Sequence, residues 1–156
     1  MTIRPEARAA ADWWAGKLAA GTDEHDLGDR DAAERDLTAT ARAASAVLRQ
    51  RFMTEQVDAF AEHLAEGIEQ HLVKWESYPH EGAWDPADPR RGSALRAVDV
   101  DYGPHPVLAE AAERAGIKLK MFDLPMKTVM WINPGEVTVS EGYGGGVTTV
   151  WTPAST

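Results

Sequence analysis

Apolar residues in the first half of the chain recur every three or four positions, the period of a helix buried on one side. Over residues 5–20 alanines surround Trp13, Trp14 and Leu18, with Pro5 suited to an opening turn and Gly21 to an end, which predicts a first helix. Adjacent helical residues point about 100° apart, so both indoles are buried only on a broadly covered helix; the pair reads as core rather than as an exposed anchor. Residues 21–31 break the pattern with glycines and acids. Asp31 with Glu34 then resembles a capping box, and Leu37, Ala41, Ala44, Val47, Leu48 and Phe52 continue as a second helix. Thr54 is placed to cap a third, along which Val57, Phe60, Leu64, Ile68, Leu72 and Trp75 form the cleanest amphipathic stripe in the sequence.

The period changes after residue 76. Pro79, Gly82, Pro86, Pro89 and Gly92 suppress helix and ladder alike, which predicts a loop over residues 78–92. Residues 95–101 read as a strand, Gly103-Pro104-His105-Pro106 as a turn, and residues 107–115 as a short helix closed by Gly116. Three strand-like runs follow at 128–132, 136–141 and 147–152, joined by Asn133-Pro134-Gly135 and by a glycine-rich turn at 142–146, as in an antiparallel meander. The run at 128–132 is apolar on both faces and is expected to be covered on both. Val137 and Val139 against Thr138 and Ser140 predict one wet face. The expected fold is α+β: helices over about 5–76 packed on a C-terminal, mainly antiparallel sheet over 95–152, with one strand-turn-helix unit, in a single domain spanning 1–156.

Composition changes this picture little. At 156 residues, 44% apolar and with six tryptophans, the chain can build one sizeable core. No run approaches the roughly 20 apolar residues of a membrane helix, and no basic start is followed by an apolar segment, so neither a span nor a secretory signal is expected. Without cysteine there are no disulfides or thiolate sites, which fits the cytoplasm. The formal net charge of -9 repels phosphate and argues against direct nucleic-acid binding. Such an acidic surface serves solubility, or attraction to a protein partner with a basic surface.

Three constellations are candidates for chemistry. Asp23, His25, Asp29, Asp31 and Glu34 fall on an EF-hand-like frame, but Leu27 and a histidine stand where oxygen ligands belong, so a solvated loop is the better reading. Asp99, Asp101 and His105 bracket the strand-to-helix turn, where two carboxylates and an imidazole would serve acid-base work, metal binding or simple capping. His80, Glu81, Trp84, Asp85 and Asp88 in the long loop suit a lid or an interaction finger, unless Trp84 plugs the gap between helices and sheet. His63 and His71, two helical turns apart, are too distant to chelate one ion by themselves. The run at 142–146 lacks the lysine, hydroxyl and following helix of a phosphate loop, and no nucleophile elbow or His-Glu-x-x-His helix is present; no cofactor is expected.

Ala11-Asp-Trp-Trp-Ala-Gly-Lys-Leu18, Asp101-Tyr-Gly-Pro104, Lys127-Thr-Val-Met-Trp131 and Glu141-Gly-Tyr-Gly144 resemble segments of short uncharacterised proteins of bacterial prophages and mobile elements. That resemblance implies no chemistry; it implies a small protein that binds a host protein. The leading expectation is therefore a non-enzymatic acidic interaction protein. The alternatives are a small enzyme or metal-dependent site at Asp99, Asp101 and His105, and a structural subunit of a homo-oligomer.

Overall fold

The computed structural model describes residues 2–20, 52–76, 96–120, 123–142 and 145–153. The expected second helix, the loop at 78–92 and the residues Asp23, His25, Asp29, Asp31, Glu34, His80, Glu81 and Trp84 lie outside them.

The first helix, α1, runs Pro5–Ala20 and buries Ala7, Ala10, Ala11, Trp14, Ala15 and Leu18, a stripe whose small residues let a neighbour approach closely. Trp14 is fully buried while Trp13 is half-buried; the rings meet edge to face at 4.9 Å, and the Lys17 ammonium lies 5.1 Å from the Trp13 ring. The second, α2, spans Thr54–Glu76 and buries Phe60, Leu64, Ala65, Ile68 and Leu72. Thr54 was expected to cap it. Instead Met53 stands at the cap: its N–H donates to the Gln56 side chain at 3.1 Å, and its carbonyl accepts the N–H groups of Gln56 and Val57. Two ion pairs, Arg4 with Glu69 and Arg8 with Glu62, descend α2 as they ascend α1, so the helices run antiparallel.

After the strand β1, Ala97–Val100, comes the helix α3, Pro106–Arg114, which packs on α2. Contact is closest at Gly67, where an added Cβ would lie 2.9 Å from Val107 Cγ2; a glycine mid-helix is disfavoured, and here it admits the neighbouring helix. A Schellman arrangement ends α3. The Ile117 N–H donates to the Ala112 carbonyl at 2.8 Å and the Gly116 N–H to the Glu113 carbonyl at 3.0 Å, with Gly116 at φ +72.

The strands β2 (Thr128–Asn133), β3 (Glu136–Glu141) and β4 (Val147–Trp151) complete a four-stranded antiparallel sheet in the order β1-β2-β3-β4. Pro134 and Gly135, the latter at φ +78, make the two-residue turn that pairs Asn133 with Glu136. Val98, Met130 and Val139 align across three strands, with Ile132 beside Val137, and this face meets α1. The core thus lies between the helices and one side of the sheet, as the α+β expectation required. Two details differ from it. On β2, Thr128, Met130 and Ile132 are buried on one face, whereas Val129 and Trp131 on the other are only half-buried. Thr138, expected to be wet, is 3% exposed because Trp131 stands directly across from it in the ladder.

Candidate functional site

The strand-to-helix turn places Asp99, Asp101 and His105 in three different settings. Asp99 is half-buried on β1, and its carbonyl accepts the His105 N–H at 2.8 Å. His105 caps α3: its Nδ1 accepts the Val107 N–H at 3.1 Å, which requires that nitrogen to be unprotonated. Burial pushes its pKa below the ordinary histidine value, against the opposing pull of the Asp99 carboxylate. Asp101 turns away and pairs with Lys127, whose ammonium also lies 3.6 Å from the Tyr102 ring. Asp99 and His105 are thus neighbours, while Asp101 is tied to a separate cation.

His71 joins His105 from α2, ring centroids 5.3 Å apart and nearly perpendicular. Together with His63, Gly67, Glu110 and Arg114 they line a shallow cleft of about 340 Å³ between α2 and α3. Among the described residues no three histidine or carboxylate side chains are grouped to hold a metal ion.

A larger concavity lies on another face of α3. It has a volume of about 690 Å³ and is lined by Val100, Tyr102, Gly103 and Pro104 from the β1-α3 turn, Ala109, Ala112 and Glu113 from α3, Gly116 to Lys120 from the segment after it, and Leu124. The Schellman turn gives it shape by folding the chain back along α3, so that Ile117 is buried and Leu119 half-buried while Lys118 and Lys120 face solvent. Tyr102 is 77% exposed at its edge. The lining is mostly apolar or small, its cations are on flexible stems, and among the described residues it presents no nucleophile paired with a base. A concavity of this size and lining has the character of a binding site.

Sequence reasoning passed over Tyr102, Ala109, Lys118 and Lys120. The signal was present as alternation, apolar Ile117 and Leu119 against Lys118 and Lys120, next to small residues on a helix.

Comparison with known proteins bears on the same conclusion. Protein BTG1 of Gallus gallus is 28% identical over 124 residues, covering 77% of this chain and 68% of that protein. Its Homo sapiens counterpart is 28% identical over 116 residues, covering 72% of this chain and 63% of that protein. Protein Tob2 of Homo sapiens is 33% identical over 89 residues, 56% of this chain and only 25% of that protein. The chain therefore spans about two thirds of the BTG1 proteins and a quarter of Tob2. The BTG/Tob domain of C. elegans FOG-3 superposes with a TM-score of 0.56 at 18% identity, over 94% of this chain and 80% of that one, a likeness of fold. These findings overturn the expected kinship with bacterial prophage and mobile-element proteins, and the host-binding role that went with it. The tryptophan-rich helix and the short strand and turn motifs behind that expectation are local patterns that many folds share. A family model matches residues 37–151, and the chain belongs to the BTG family, whose members are non-enzymatic regulators that bind partner proteins.

Proposed function

We propose that this chain is a protein-binding module that grips its partner in the groove beside α3, acting by association rather than by catalysis. The observation that carries the reading is the groove itself: about 690 Å³, mostly apolar walls, and an exposed tyrosine at the rim, with no convergent acid, base and nucleophile. A second reading, attraction of a basic partner to the acidic surface, rests on the net charge of -9.

The two separate in one experiment. Affinity capture from cells of the source organism is run with the wild-type chain, with Ala109→Trp, and with a charge-matched acidic protein. Ala109 is exposed and lines the groove, so the indole fills the groove without entering the core. The groove reading expects a specific partner that Ala109→Trp loses. A partner retained by Ala109→Trp and released by salt supports the acidic-surface reading instead. The absence of any partner beyond the acidic control sinks both.

A further inference from the structure

We infer that the groove takes an acidic segment of the partner protein, an extended stretch carrying one bulky apolar side chain flanked by aspartate or glutamate. This rests on the reading of the groove as a protein-binding site and goes beyond it by naming the chemistry of the occupant.

The argument is one of charge against shape. In a chain of formal net charge -9, this groove carries two exposed lysines, Lys118 and Lys120, and a single acid, Glu113, among its lining residues. Among the described residues neither lysine is held in an ion pair, whereas the nearby Lys127 is bound to Asp101 and covers the Tyr102 ring. Lys118 and Lys120 are exposed while Ile117 is buried and Leu119 half-buried, and all four line the groove. A ligand lying along this lining therefore meets an apolar surface with two free cations beside it. One further acid, Asp123, accepts the Lys120 backbone N–H at 2.6 Å, but its side chain is buried and serves the turn, which leaves the exposed lining of the groove with two cations to one acid. Charges separated by more than about 8 Å are largely screened at physiological salt, so the groove's own lysines set the local preference. Tyr102, held by Lys127 against the turn, offers a pre-positioned ring, a side-chain type that concentrates binding energy.

The test uses a phage-displayed library of random dodecapeptides, selected on the immobilised full chain. The expected result is enrichment of peptides that place two or more acids within about four positions of a Leu, Ile, Phe or Trp. Synthetic versions of the enriched peptides, followed by fluorescence anisotropy, should lose affinity by about tenfold or more with the double variant K118E/K120E and should also be lost with A109W. Both lysines are exposed, so the double variant leaves the core intact, and its far-ultraviolet spectrum and melt check that directly. Enriched peptides that are apolar but uncharged, bound equally by K118E/K120E and lost with A109W, overturn the acidic occupant and leave the groove reading standing. Basic peptides, or peptides that A109W binds unchanged, overturn both. Self-association of the wild-type chain in sedimentation velocity, abolished by A109W, makes the occupant a second copy and also overturns the inference.

Discussion

Replacing Arg4 by alanine removes the clamp that fixes the start of α1 to the middle of α2. The Arg4 Nε lies 3.0 Å from Glu69 Oε1 and its Nη2 lies 2.8 Å from Oε2, while the Arg4 backbone N–H donates to Oε1 at 2.9 Å. The Glu69 side chain is 7% exposed and the Arg4 side chain 25%. Hydrogen bonds to charged groups contribute about 1.5–3 kcal/mol each. Against two of them stand up to about 2 kcal/mol of arginine side-chain freedom and the water already reaching the guanidinium. The net loss on Arg4→Ala is therefore about 2 kcal/mol, a fall of about 1 M in the urea midpoint at a typical slope for this size. The pH dependence is a second, independent reading. Hydrogen bonding to Arg4 holds the Glu69 carboxyl below its ordinary value of 4.5, so this stabilisation is complete above about pH 4.5 and disappears as pH falls through the depressed folded-state value. Urea titrations of wild type and R4A should thus differ by about 2 kcal/mol at pH 7 and by clearly less at pH 3, below the ordinary carboxyl value. Arg8→Ala, which breaks an exposed pair with Glu62, should cost about 0.5 kcal/mol or less. A loss under about 0.5 kcal/mol for R4A, or one of equal size at both pH values, would refute the account.

Two further outcomes follow from the same contacts. Because the His105 pKa is lowered in the fold, its neutral form stabilises the protein fully above about pH 6.5, and that contribution is lost as pH falls through the folded-state value; His105→Asn keeps a capping side chain without a titrating one and should flatten the stability curve below about pH 6.5, read by chemical denaturation. Asn133 is 1% exposed and both atoms of its amide lack a hydrogen-bond partner, so the similarly shaped Asn133→Leu should raise stability by about 1 kcal/mol, and a lower melting temperature in calorimetry would count against that.

Much of the fold was legible because its signals are local. Pro5, Gly116 and the Asn133-Pro134-Gly135 turn end or open elements through backbone chemistry that each residue carries with it, and helix and strand boundaries came within two residues wherever they are described. Thr138 was misjudged because its burial depends on Trp131 of the neighbouring strand, a partner that alternation along β3 does not reveal. The groove was invisible for the same reason at larger scale. Tyr102, Ala109 and Lys118 look like ordinary turn, surface and loop residues until the Schellman reversal at Gly116 folds the chain back beside α3. Family kinship was equally beyond short motifs, since identity near 28% is spread over more than a hundred residues.

The first helix has a consequence for where this domain begins. The family model starts at residue 37, beyond α1. Yet α1 supplies the fully buried Trp14, touches three strands and covers the apolar stripe of α2. The FOG-3 domain aligns with 94% of this chain, which leaves too few residues outside the alignment to omit a 16-residue helix entirely. A fragment cut at residue 37 would leave Phe60, Leu64 and Ile68 without their cover, an adhesive surface that gathers proteins indiscriminately. Binding measured with such a fragment would report its stickiness, so partners of this protein are to be sought with α1 in place and not from the start of the family match.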